Sequence, residues 1–272
     1  MPKDIHLKEA LDFKEECDAI YALVSPLSES QLATSTLFKN WTINDILAHL
    51  HLWNIAAQLT LTDQSSFDTL VKVTMGAIAG GQSHIEMQNA YLDGLKGHAL
   101  IDAWRAYYIP MADIFAQTQA DKRLKWVGPD MSARSCIIAR QMEHWAHAQA
   151  IFDVLGQERH HTARLKNIAH IGVTTYSWSF KVNGLEPLLP KPFVQLTAPN
   201  GEIWEWNKPQ TDNTVKGSAA EFCQVVTQCR NISDTKLQVI GTHAVKWMSI
   251  AQCFAGGAET PPTPMSRFKA KN

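Results

Sequence analysis

The hydrophobic pattern of this chain changes period once, near residue 160, and that change limits the folds open to it. Up to about residue 155 the apolar residues recur at helical spacing; beyond 160 they run as β-branched and aromatic stretches between turn residues. In the first part, residues 4–25 place Leu7, Ala10, Leu11, Phe13, Cys17, Ile20, Tyr21 and Val24 on a helical stripe that Pro26 closes. A second helix is expected from Thr42 to about Leu61, with Thr42 as N-cap and Asp45 as the acid of a capping box. Phe67 to Ile78, His84 to Leu92, Ala99 to Gln119 (bent at Pro110) and Met131 to Leu155 (ended by Gly156) complete the helical set.

In the second part, Val173 to Val182, Phe193 to Thr197, Ile203 to Trp206, a segment from Val215 and Leu237 to Gly241 read as strands. The turn at Pro199-Asn200-Gly201 makes the second and third of these a hairpin. Helices are expected after Ser218 and from Ala244 to Phe254. The pattern predicts two domains. Residues 1–160 form an all-α, up-and-down four-helix bundle with one elaborated connection, and residues 161–255 a smaller α+β domain. Gly256-Gly257 and the prolines at 261, 262 and 264 make 256–272 a disordered tail.

Composition removes several classes of function. The chain has 272 residues, 45% of them hydrophobic and 19% charged, with a net charge of -1. That is too apolar and too neutral for intrinsic disorder, and it lacks the basic footprint of a nucleic-acid binder. No apolar run reaches the ~18–20 residues of a membrane span, and the start does not have a signal-peptide layout. The five cysteines, at 17, 136, 223, 229 and 253, never form C-x-x-C; they read as small buried residues of a reduced cytoplasmic protein. The P-loop, the G-x-S-x-G elbow and the dinucleotide fingerprint are missing from the sequence.

Chemistry concentrates in Arg140-Gln141-Met142-Glu143-His144-Trp145-Ala146-His147. Glu143 and His147 stand four apart on a helix, so a carboxylate and an imidazole share one face and suit a divalent metal ion. His144 points about 100° away from Glu143. His49, on the second helix, would complete a two-histidine, one-carboxylate set with open coordination positions, the form a catalytic metal takes. Each residue has a plainer alternative. The Glu143/His147 pair could be exposed or merely hydrogen-bonded, and His49 an interior histidine with its bonds satisfied. His51, on the opposite side from His49, is expected in solvent, as are His160 and His161; His170 and His243 form no cluster.

Trp41-Thr42-Ile43-Asn44-Asp45-Ile46-Leu47-Ala48-His49-Leu50, followed downstream by Glu143-x-x-x-His147, resembles the DinB-like helical-bundle superfamily, and within it the mycothiol-dependent maleylpyruvate isomerase branch. The resemblance implies His49, Glu143 and His147 as metal ligands. Val215 to Phe222, Gln228-Cys229-Arg230 and Leu237 to Gly241 are similar to the sterol-carrier-protein-like C-terminal domain of that branch. It implies Arg230 as a residue that binds substrate; the alternative is a helix-end arginine facing solvent. Ala150 and Asn54 stand where many relatives have Asp, and the segment from Trp126 to Ser135 resembles a separate subgroup, which points to a different substrate.

The expected function is a metal-dependent enzyme, an isomerase or transferase using a thiol or water on a small, carboxylate-bearing substrate. The metal would be zinc, with nickel, iron or manganese as alternatives, and the co-substrate a low-molecular-weight thiol. A second class is a non-catalytic module for an apolar or acyl ligand with a structural metal. A third is a scaffold that forms a homo-oligomer.

Overall fold

A computed structural model describes residues 6–268. The chain divides into two compact units between Ile151 and Phe152. The first is helical: α1 (Glu9–Val24), α2 (Glu29–Leu32), α3 (Ile43–Thr62), α4 (Gln64–Ala79), α5 (His84–Tyr91), α6 (Gly97–Ala116) and α7 (Ala133–Val154). Its bundle is built on α1, α3, α6 and α7, with α4 and α5 as the elaborated connection. Helix α1 buries Ala10, Phe13, Cys17, Ile20 and Val24, a stripe at three- and four-residue spacing. It begins at Glu9, later than the expected residue 4. Residues 4 and 5 lie outside the described residues, and the backbone N–H groups of His6 and Leu7 donate to the Ala116 carbonyl instead of starting the helix.

Helix α3 begins where its cap requires. Asp45 N donates to Thr42 Oγ1 at 3.1 Å and Thr42 N to Asp45 Oδ2 at 2.8 Å, which satisfies two orphan donors reciprocally. The helix is buried on several sides at once, through Ile43, Leu47, Leu50, Leu52, Ala56 and Ala57. Helix α6 runs unbroken through Pro110, which sits at an exposed position. Gly156 follows α7 with φ of 64°, the left-handed conformation that ends a helix without a Cβ penalty. A ladder of two-residue strands, β1 (Arg123–Leu124) and β2 (Met131–Ser132), precedes α7.

The second unit holds α8 (Leu165–Thr174), α9 (Tyr176–Val182), β3 (Phe193–Thr197), β4 (Ile203–Trp206), β5 (Thr214–Ser218), α10 (Ala219–Val226), β6 (Gln238–Ile240) and α11 (Thr242–Ile250). The sheet order is β4-β3-β5-β6. Strands β3 and β4 form the expected antiparallel hairpin, with Leu196 opposite Trp204; β3 and β5 are parallel, and β5 and β6 antiparallel.

One expectation is overturned. Val173 to Val182 is helical, not a strand. Ile168, Ala169, Gly172, Val173, Tyr176, Ser179 and Phe180 are all buried, a three-to-four spacing that serves a helix face, and burial outweighs the β-propensity of the valine and the aromatic residues. The Thr174 and Thr175 hydroxyls donate back to the carbonyls of His170 and Ile171, which keeps two β-branched threonines compatible with helical backbone. The last helix also stops early, at Ile250, because Gln252 exchanges bonds with the Ser179 hydroxyl in extended backbone.

Two boundaries differ from the expected ones. The division falls ahead of residue 160, so the last turn of α7 belongs to the second unit, within which the Asp153 carboxylate is bonded to Arg230 at 2.7 Å. Residues 256–268, expected as disordered tail, hold neither helix nor strand but are tied down. Asn231 Nδ2 donates to Pro262 O, and Arg267 Nη1 to Gln228 O. Residues 269–272 lie outside the described residues.

The start of α11 depends on Gly241, at φ 89°, where a Cβ would overlap the Asp212 carbonyl oxygen and crowd the Asn213 side chain. Asn213 Oδ1 accepts from His243 N at 2.9 Å, so the crowded atoms are the ones that hold the helix entry. Gly241→Ala is expected to lower the stability of this unit by roughly 2 kcal/mol or more, from strain at positive φ and overpacking, read as a lower urea midpoint.

Candidate metal centre

Helices α3 and α7 bring three donor groups to one place. His49, Glu143 and His147 each offer one ligand atom, and these atoms lie within 4.8 Å of one another. Glu143 and His147 share a face of α7, with His147 Nε2 and Glu143 Oε2 3.3 Å apart. His49 enters from α3, its ring centroid 4.8 Å from that of His147. The three are half-buried.

Aromatic side chains fix the imidazole planes. Trp41 stacks parallel on His147 at 6.0 Å, and Phe38 meets it edge-on at 4.9 Å. Trp41 and Trp53 pack against His49. Burial, helped by neighbouring His147 and the positive Arg140, holds the His49 pKa well below the usual histidine value, so its ring is neutral and a lone pair is available. Burial alone would raise the Glu143 carboxyl; its hydrogen bond to His147 and the nearby positive charge outweigh this and leave it below the usual range.

The residues present fit a divalent ion in two respects. His49 Nδ1 is buried and makes no hydrogen bond with another group of the protein, a costly state for an imidazole nitrogen. Two imidazoles and a carboxylate are the donors that borderline divalent ions prefer, and three protein ligands leave coordination positions open.

The remaining histidines fall elsewhere. His144 is turned into the core, where Nδ1 lies 2.7 Å from the Arg140 carbonyl and must donate to it. Its Nε2 then accepts from Asn54 Nδ2 at 3.2 Å and Trp104 Nε1 at 3.4 Å. The expectation for His51 is corrected: it is 6% exposed, not solvated, and meets Tyr107 edge-on at 5.6 Å. Since α3 is enclosed on opposite sides, both of its histidines leave water, and burial lowers the His51 pKa to about 4. His160 is exposed as expected, whereas His161 is half-buried; within the second unit His170 accepts from Trp206 Nε1 and His243 Nδ1 lies against Pro190 O.

Arg230 lies beyond the end of α10 and is not the solvent-facing arginine of the alternative reading. Its side chain is 14% exposed; Nη2 donates to Asp153 and Nη1 to the Cys229 carbonyl. Sequence reasoning missed the polar layer under the donors. Arg140 Nε donates to Asn54 Oδ1 at 3.2 Å and Nη2 to Leu50 O at 3.3 Å, joining α7 to α3. The available signal is the number of polar residues (Arg140, Gln141, His144, Gln149) along this one helix.

Residues 13–152 match the family model described as the mycothiol maleylpyruvate isomerase N-terminal domain. The chain belongs to this family. Two uncharacterized proteins of Mycobacterium tuberculosis, from strains CDC 1551 / Oshkosh and ATCC 25618 / H37Rv, are each 35% identical over 246 residues, covering 90% of this chain and 94% of theirs. Among solved structures, a crystal structure of a mutant mycothiol-dependent maleylpyruvate isomerase has a TM-score of 0.50 at 14% identity. It covers 80% of this chain and 87% of that one, a likeness of fold. The two-unit architecture, a helical bundle and a smaller α+β unit, agrees with that of this isomerase. No helix among the described residues is long and apolar enough to cross a membrane.

His144→Leu is expected to cost about 2–4 kcal/mol in this maleylpyruvate isomerase-like bundle. Asn54 Nδ2 and Trp104 Nε1 would lose their shared acceptor in the core, and the loss is read by denaturant unfolding.

Proposed function

We propose that this chain is a metal-dependent enzyme of isomerase or transferase type that uses a low-molecular-weight thiol on a small, carboxylate-bearing substrate. The observation that carries the reading is the convergence of His49, Glu143 and His147, with a buried His49 nitrogen left unbonded. The mycothiol dependence named for the family and for the structural neighbour supports the choice of thiol over water. Zinc suits the two-nitrogen, one-oxygen set, and nickel, iron and manganese are accepted by the same donors.

His49 and His147 would hold the ion as neutral imidazoles, and Glu143 as a carboxylate. A bound divalent ion acts as a Lewis acid, lowering the pKa of a thiol or water at an open position. Around it the protein's own groups do the positioning. Trp41 and Phe38 hold the His147 ring plane, and Trp41 and Trp53 flank His49 so that the donors need no rearrangement to bind. In this reading Arg230 takes the substrate carboxylate with the N–H groups not committed to Asp153 and Cys229, since a guanidinium carries five. All five cysteines carry thiols, which suits a reducing, cytoplasmic setting.

Elemental analysis of the purified protein tests the ligand set. About one divalent ion per chain is expected for the native protein, and a small fraction of that for His147→Ala, with an unchanged far-ultraviolet dichroism spectrum. Native-like loading of His147→Ala would overturn the assignment. Arg230→Met is expected to raise KM for a carboxylate substrate about tenfold with little change in kcat, the pattern of lost uniform binding. An unchanged KM would remove Arg230 from this role.

A further inference from the structure

Arg140 is a buried cation placed one helical turn before Glu143 on α7, so the two side chains share a face. Its guanidinium is seated against α3 beside the third donor, because one of its two acceptors is the carbonyl of Leu50, the residue after His49. The other acceptor is Asn54 Oδ1. Both acceptors are neutral: they satisfy the N–H groups without adding a negative charge. Two thiols within reach of that charge, Cys17 and Cys136, are also neutral, since burial keeps both protonated and pushes the Cys136 thiol up to about 12. Glu143 stands one turn along the same face of α7 and His49 is next to Leu50 in the chain, so the donor cluster lies in the field of the guanidinium.

We infer that Arg140 is a positioning residue that sets the charge of the donor cluster, and that Asn54 holds the guanidinium without cancelling it. The inference rests on the metal-ligand reading of His49, Glu143 and His147. Two neutral imidazoles, one carboxylate and one guanidinium sum to zero, so a divalent ion bound there keeps its full double charge. With the guanidinium removed or paired, the same site would carry a single positive charge. The device weakens cation binding and strengthens the binding of an anionic guest, a thiolate or carboxylate, at the open positions. A residue that merely supported the fold would move both affinities the same way.

The full chain loaded with Co²⁺ separates these outcomes. Cobalt affinity is measured by competition with a chelator, and thiolate affinity with 2-mercaptoethanol at fixed pH, followed by the sulfur-to-cobalt absorption band. Arg140→Met is expected to tighten cobalt binding and to weaken 2-mercaptoethanol binding, each about tenfold, the scale of a unit charge acting across partly buried protein. Arg140→Gln keeps amide donors for the Leu50 and Asn54 oxygens but removes the charge, so it should shift both affinities in the same directions even if Arg140→Met fails to fold. Arg140→Lys, which keeps a positive charge, should stay near the native values. Loss of both affinities together in Arg140→Gln, or no change in either, would overturn the inference while leaving the ligand reading intact. Failure of the native protein to bind cobalt would overturn both.

Discussion

The join between α3 and α7 is the contact on which the candidate site depends, because its donors come from both helices. Two hydrogen bonds from Arg140 and the bond from Asn54 to His144 tie the pair together in the core. Buried polar groups of this kind are costly unless each finds a partner, so they tolerate few alternative registers. A slide of one helix past the other by one residue would strand the guanidinium and the His144 ring, and would carry His49 away from Glu143 and His147. The same bonds that penalise a wrong register thus set the distance between the donors.

The surroundings of the three donors work toward the same end by different means. Trp41 lies just before the Thr42 cap, so the capping box that starts α3 also presents the indole that stacks on His147. Phe38 and Trp53 close further sides. Apolar walls lower the local dielectric, keep His49 neutral and strengthen any charge interaction made at the site. Against that background one guanidinium resting on neutral acceptors has more influence than a surface arginine, whose field water and salt would screen. In the second unit the arginine at 230 is treated in the opposite way, paired directly with Asp153.

Much of the fold was readable because it is encoded locally. The capping box at Thr42 and Asp45, the stripe of α1, the hairpin at Asn200-Gly201 and the i,i+4 pair Glu143/His147 involve residues close in the chain, and their spacing alone states the geometry. The misreadings came where burial, not propensity, decided. Val173 to Val182 has strand-like composition but is a helix because its apolar residues pack at a helical period. The angular position of His51 relative to His49 predicts a solvated side chain only if a helix has one dry face; α3 is covered on several.

The chain therefore determined by itself its two-part organisation, most helix positions and the identity of three metal-ligand candidates, since hydrophobic period, caps and motif spacing are properties of neighbouring residues. Only the tertiary structure decided that His49 meets the α7 pair within 4.8 Å, that His144 serves the core, that Arg140 rests on neutral acceptors and that Arg230 is held by Asp153. Each of these joins groups from different elements. Their distances follow from how side chains pack, which no local pattern specifies.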